Sequence, residues 1–140
     1  SKIFPSKIDL KLKKAKYLAK TYKENKTYYI GSNKKYIFSE QVKNNDDYPT
    51  VFGKFAINEF FKLRNIFLEN NFNIENIENY YYFPSSRWDI KLKNNILIKL
   101  PAKNTNYAVN IVKKIIKENL NEDKKVIDLR IQNQIIFSNE

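Results

Sequence analysis

Hydrophobic spacing along the chain switches between a period of two and a helical period, and the switches mark its elements. After a turn at Phe4-Pro5-Ser6, Ile8, Leu10 and Leu12 alternate with Asp9, Lys11 and Lys13, the pattern of a half-buried strand. Residues 17–22 can form the next strand. Thr27-Tyr28-Tyr29-Ile30 and Tyr36-Ile37-Phe38 flank Gly31-Ser32-Asn33, which predicts a hairpin with glycine at its turn. Residues 42–48 are polar and end at Pro49, as a loop does. Past Phe52-Gly53 the period changes. Ala56, Phe60, Leu63 and Phe67, reinforced by Ile57 and Phe61, share one helical stripe and predict a helix over residues 54–70, stopped by Asn70-Asn71.

Residues 74–83 read as extended, with four aromatics at Tyr80-Tyr81-Tyr82-Phe83, and Pro84-Ser85-Ser86 breaks the run. Trp88, Ile90 and Leu92, then Asn94-Asn95, then Ile96, Ile98 and Leu100 form the clearest hairpin pattern; the asparagines suit the positive φ values of a type I′ turn. Pro101 ends it. Asn104, Thr105 or Asn106 can cap a second helix whose stripe is Ala108, Ile111, Val112, Ile115 and Ile116, closing near Leu120. A turn at residues 121–123 precedes a strand over 126–131, with Ile127, Leu129 and Ile131 on one face. Gln132-Asn133 then turns the chain into a last short strand, residues 134–137. The order of strands, helix, hairpin, helix, hairpin implies an α+β fold: a bent, mainly antiparallel sheet with two helices packed on one face.

Composition changes this picture in two ways. The 140 residues suit one domain, or one domain with a fragment of a neighbour, and 42% hydrophobic content supplies a core without staples. The net charge is +11, which points towards an anionic partner such as nucleic acid or membrane lipid. An AT-rich coding bias accounts for it better: only Arg64, Arg87 and Arg130 are arginines, the other 23 basic residues are lysine, and phosphate-gripping sites favour the arginine fork. The chain contains no methionine and begins at Ser1, so it reads as a piece excised from a longer protein, with room for an upstream membrane anchor. No run reaches the ~20 apolar residues of a membrane span.

Candidate chemistry is sparse. Without histidine the commonest general base and metal ligand are missing, and without cysteine there are no thiolates or disulfides. Asp46-Asp47 and the Glu75/Glu78 pair are the acid candidates, and solvated surface charge is the better reading of each. Gly31 and Gly53 are the only glycines, too few for a phosphate-cradling loop; Lys54 behind Gly53 reads as an ordinary helix entry. The residue set points to no cofactor, no metal and no enzymatic activity. The last strand remains. It ends the chain, and a terminal hairpin strand tends to lie at a sheet edge, where another chain can add a strand. A blunt, solvated or internally paired edge is equally compatible with the sequence.

Several segments together resemble the extracytoplasmic part of the FtsQ/DivIB family of bacterial cell-division proteins. Ser86-Arg87-Trp88-Asp89-Ile90-Lys91-Leu92 and Asn94-Asn95-Ile96-Leu97-Ile98-Lys99-Leu100 look like the family's paired hairpin strands. Val126-Ile127-Asp128-Leu129-Arg130 is similar to its Val-Asp-Leu-Arg strand, and Tyr48-Pro49-Thr50-Val51-Phe52-Gly53 to its Leu-Pro-x-Leu-x-Gly helix entry. Pro5, Ile8, Leu10, Leu12, Leu18 and Ala19 fit the close of the family's POTRA domain. Departures are Tyr17 where the family has proline, the missing glycine in Gln132-Asn133-Gln134, and Asn139 in a slot that can hold tryptophan. The resemblance implies the end of a POTRA domain over residues 1–20 and a β domain over residues 21–140. It implies a non-catalytic divisome scaffold, anchored in the inner membrane by one upstream span, with this part in the periplasm. It further implies binding of FtsB, and through it FtsL, by strand addition at Arg130, Ile131, Gln134, Ile135, Ile136 and Phe137, with Ser85 and Arg87 near a partner helix. Nucleic acid is not among the implied partners; a lysine-driven nucleic-acid or anionic-membrane binder is the alternative.

Overall fold

Alternation in the first half produces three strands: β1 (Tyr17–Lys23), β2 (Lys26–Gly31) and β3 (Tyr36–Phe38). The computed structural model describes residues 16–42 and 46–140, so the strand expected at Ile8, Leu10 and Leu12 lies outside the described residues. β2 and β3 form the expected antiparallel hairpin, but the positive φ in its turn falls on Lys34, at 63°, and not on Gly31, which closes β2. β1 is hydrogen-bonded to β2 on one side and to the short β4 (Thr50–Phe52) on the other, so the sheet takes in residues 17–20. Thr21 is buried there and donates its hydroxyl proton to the Val51 carbonyl at 2.7 Å.

α1 spans Ile57–Glu69 and begins three residues later than its apolar spacing suggests. Gly53 (φ 105°) turns the chain sharply, and Phe55 enters the core from non-helical backbone ahead of the N-cap Ala56. Phe60, Phe61, Leu63 and Phe67 are its buried stripe. One 3₁₀ turn over Ile74–Asn76 leads into β5 (Ile77–Phe83), which pairs antiparallel with β6 (Arg87–Leu92). β7 (Leu97–Lys99) follows. Its turn differs from the expected type I′: only Asn95 takes positive φ (71°), the Asn95 N–H donates to the Leu92 carbonyl, and the Leu92 N–H donates to the Ile96 carbonyl. That is the three-residue loop with one left-handed residue at its end.

α2 (Thr105–Lys117) is entered through Asn104 in left-handed conformation, and no side chain caps it. Ala108, Val109, Val112 and Ile115 are its buried positions, while Leu120 stays exposed. Both ends of the terminal hairpin are shorter than expected. β8 covers only Val126–Asp128 and β9 only Ile136–Ser138; Ile131 sits in a bend and is 52% exposed, so it does not share the face of Ile127 and Leu129.

The nine strands among the described residues join one sheet in the order β3-β2-β1-β4-β5-β6-β7-β8-β9. The fold is α+β, as expected, and five of the eight strand pairings are antiparallel. The parallel ones were not anticipated: β1 with β4, β4 with β5, and β7 with β8. The last two are the crossovers that contain α1 and α2. β4 and β7 run the same way and both crossovers step in the same direction across the sheet, so one crossover hand puts both helices on one face. They meet there, the Asn110 side chain donating to that of Asn70 at 3.3 Å. A single register row, Thr21–Val51–Tyr80–Ile90–Ile98–Ile127–Phe137, runs under them to the last strand.

Candidate functional site

The neighbouring row, on the opposite face, is polar. Asp89 of β6 lies beside Lys99 of β7, Lys99 beside Asp128 of β8, and Asp128 beside Ile136 of β9. Two arginines flank it, each two residues from an aspartate: Arg87 shares a face of β6 with Asp89, and Arg130 follows the end of β8 at Asp128. Arg87 donates from Nη1 to Asp89, reaches the Leu100 carbonyl at 3.4 Å, and lays its guanidinium 4.5 Å from the centre of the Phe83 ring. Arg130 grips Asp128 with a fork, Nε to Oδ1 at 2.9 Å and Nη2 to Oδ2 at 2.7 Å, and adds its backbone N–H at 3.0 Å. The Arg130 fork holds the Asp128 carboxyl below its ordinary value; the backbone N–H and the charge of Lys99 act in the same direction, and partial burial opposes them. Asp128 in turn pushes the Arg130 guanidinium up, with a smaller contribution from Asp89, which places the two flanking pairs in one electrostatic neighbourhood.

This ladder ends at the rim of the sheet. Among the described residues β9 is paired only with β8, Val126 opposite Ser138 and Ile127 opposite Phe137. Backbone direction can be read from β8. The Leu97 N–H donates to the Lys125 carbonyl and the Leu129 N–H to the Lys99 carbonyl, so odd-numbered residues there face β7 and even-numbered ones face β9. In an antiparallel pair the hydrogen-bonded residues are then Val126 with Ser138 and Asp128 with Ile136. Phe137 therefore turns its N–H and C=O away from the sheet while its ring packs against the core. Ile131, Ile135 and Ile136 expose 52%, 43% and 42% of their surface beside it.

The structure thus brings Arg130, Ile131, Gln134, Ile135, Ile136 and Phe137 together at one rim, although Arg130, Ile131, Gln134 and Ile135 belong to the connection and not to a strand. The Gln134 N–H closes that connection on the Ile131 carbonyl at 3.1 Å, with Asn133 at φ 62°. Ser85 is exposed in the β5–β6 turn, and Arg87 stands at the same end of the sheet as Arg130, with β7 between their strands. Asp89, Lys99 and Asp128 were missed from sequence. The Arg-x-Asp and Asp-x-Arg spacings on strands were the available signal, since positions two apart share a face.

Elsewhere, a cleft of about 740 Å³ is lined by Asp47, Glu75 and Glu78 together with Lys20, Arg64 and Lys93. It gathers three of the four acid candidates among as many cations. No cluster of three potential metal ligands exists among the described residues.

Comparison with protein families is decisive for the whole. Residues 21–130 match the model of the C-terminal region of the cell division protein FtsQ/DivIB. The chain belongs to the FtsQ/DivIB family. The match takes in β2 to β8 and both helices of this FtsQ/DivIB domain and ends at Arg130, so β9 lies beyond it. No curated protein sequence matches the chain. Membership assigns this FtsQ/DivIB domain a part in cell division.

Proposed function

We propose that this domain is a non-catalytic scaffold of the divisome that captures FtsB, and through it FtsL, by adding a strand of the partner to β9. The observation that carries the reading is the outward backbone of Phe137 on a sheet rim flanked by exposed isoleucines. Unpaired N–H and C=O groups supply affinity in such an addition, and side chains on alternate positions supply selectivity. Arg130, Ile131, Gln134, Ile135, Ile136 and Phe137 are the contact residues of this reading. Ser85 and Arg87 border a partner helix at the same end of the sheet. Because Arg87 is committed to Asp89 and Phe83, it shapes that border more than it offers a free charge.

The same reading places a single membrane span upstream and this domain in the periplasm, with residues 1–20 holding the end of a POTRA domain and the junction, whose residues 17–20 already belong to β1 of this sheet. No helix among the described residues is long and apolar enough to cross a membrane. The test is capture of an FtsB-derived periplasmic peptide by Ile135→Pro, Phe137→Pro and Phe137→Asp variants whose circular dichroism matches the parent. Proline at Phe137 removes the outward donor, and capture is expected to fall at least about tenfold, the loss of one or two hydrogen bonds left unmade in a buried ladder. Undiminished capture by all three folded variants overturns the assignment of the edge.

A further inference from the structure

At the end of the sheet opposite Arg87 and Arg130, a second cleft of about 420 Å³ opens between the β6–β7 turn, the segment after α1 and the last turns of α2. Its floor is apolar: Phe72 and Leu92 are buried and Ile116 is half-buried. Its rim is made of donors. Lys93, Lys113 and Lys117 border it with four asparagines, and no carboxylate lines it. The two ion pairs among the described residues, Arg87–Asp89 and Arg130–Asp128, involve none of the three lysines. The carbonyl oxygens of Asn73 and Asn94 are already taken, by the Glu75 and Ile96 backbone N–H groups, so what these two amides have left to give is chiefly N–H.

Lysines in the last turn of a helix ordinarily answer its dipole. That end carries only about half a negative charge, whereas Lys114 and Lys117 stand in the last turn, Lys113 precedes them, and Lys93 lines the same cleft as Lys113 and Lys117. A net positive rim remains over an apolar floor. We propose that this cleft receives an acidic peptide segment, seating one large apolar side chain on Phe72, Leu92 and Ile116 while neighbouring carboxylates meet Lys93, Lys113 and Lys117. A peptide fits better than a nucleic acid. The cleft is lined by one ring, Phe72, too few for successive bases to stack on, and the rim holds lysines without an arginine fork. The proposal is independent of strand addition at β9.

The probe is a short labelled peptide with one phenylalanine among glutamates, titrated with the full chain and read by fluorescence anisotropy. Lys113→Glu combined with Lys117→Glu is expected to weaken binding about tenfold or more, as two lost exposed ion pairs and two new repulsions imply. Lys114→Glu makes the same kind of charge change outside the cleft and is expected to cost less than about threefold, the worth of a single long-range surface charge. Replacing the phenylalanine of the peptide by serine removes the anchored side chain and is expected to cost about tenfold. Phe137→Pro leaves all of this binding in place, which separates it from the β9 edge. An equal loss in Lys114→Glu, full binding of the serine peptide, no binding of the parent chain, or preferential binding of phosphatidylglycerol vesicles overturns the proposal.

Discussion

At Gly53 the backbone holds φ at 105°, and a Cβ there would collide with the Tyr82 carbonyl oxygen. Both problems act together in Gly53→Ala, so the variant is expected to lose about 2 kcal/mol or more, the scale of a strained backbone position, read as a lower urea midpoint at unchanged m-value. With so few glycines the remaining left-handed positions fall mostly to asparagine: Asn25, Asn71, Asn95, Asn104, Asn119 and Asn133 all take positive φ. Asparagine tolerates that region better than other side-chain-bearing residues. Asn95→Gly is therefore expected to be neutral or stabilising, and Asn95→Ala to cost about 1 kcal/mol, in the same denaturation assay. Asp128 supplies a pH test. Its folded value lies below the ordinary 3.8, so the contribution of the Arg130 fork is complete above that value and is lost as pH falls through the lower folded one. The pair is partly exposed, with 45% of the Arg130 side chain open to solvent, so the contribution is modest. Asp128→Asn is expected to flatten the acid limb of stability against pH below about pH 4, measured by thermal melts across that range.

Among the elements, the long and strongly patterned ones were legible from sequence. β1, the β2–β3 hairpin, β5, β6 and the two helices lie close to where the sequence pattern predicts them, most of them with buried apolar positions that set the pattern. Of the three-residue strands, β4, β8 and β9 were harder. β4 was read as part of a loop and helix entry, since three residues cannot display an alternation, and without it the parallel pairings on either side stayed hidden. β8 and β9 were drawn too long for a related reason: Ile131 and Ile135 continue the apolar pattern past the hydrogen-bonded ladder and end exposed. At the candidate edge, its place at the chain end could be foreseen, while the ladder Asp89–Lys99–Asp128 could not, because register decides which residues of three strands meet. Asn70 is the corresponding detail between helices, bonding both Asn106 and Asn110 of α2. Asn70→Ala removes both contacts at a partly exposed site, and the expected loss is about 1 kcal/mol by chemical denaturation, with no change in partner capture.

For the molecule as a whole, the question set by a charge of +11 is whether that charge drives recognition. A polycation that neutralises several phosphates releases counterions, and with six to ten phosphate contacts its affinity falls roughly 10³- to 10⁵-fold between 50 and 200 mM salt. The proposed strand addition would rest instead on main-chain hydrogen bonds and isoleucine burial at a rim where Arg130 already has its carboxylate in Asp128. Its salt dependence should then be shallow. Titrating an FtsB-derived peptide at both ionic strengths is expected to move the dissociation constant less than about threefold, because short-range backbone pairing is little screened at a Debye length near 10 Å. The acidic peptide at the lysine-rimmed cleft should weaken visibly over the same range. The cleft lies at the β6–β7 turn and the rim at β9, with β7 and β8 between β6 and that edge; the rim is closed by its own charges and the cleft is left with charge to spare. A salt series on each peptide therefore distinguishes recognition by shape and backbone from recognition by field within a single domain, and a steep slope at the β9 rim would mean that the lysine excess carries the binding there.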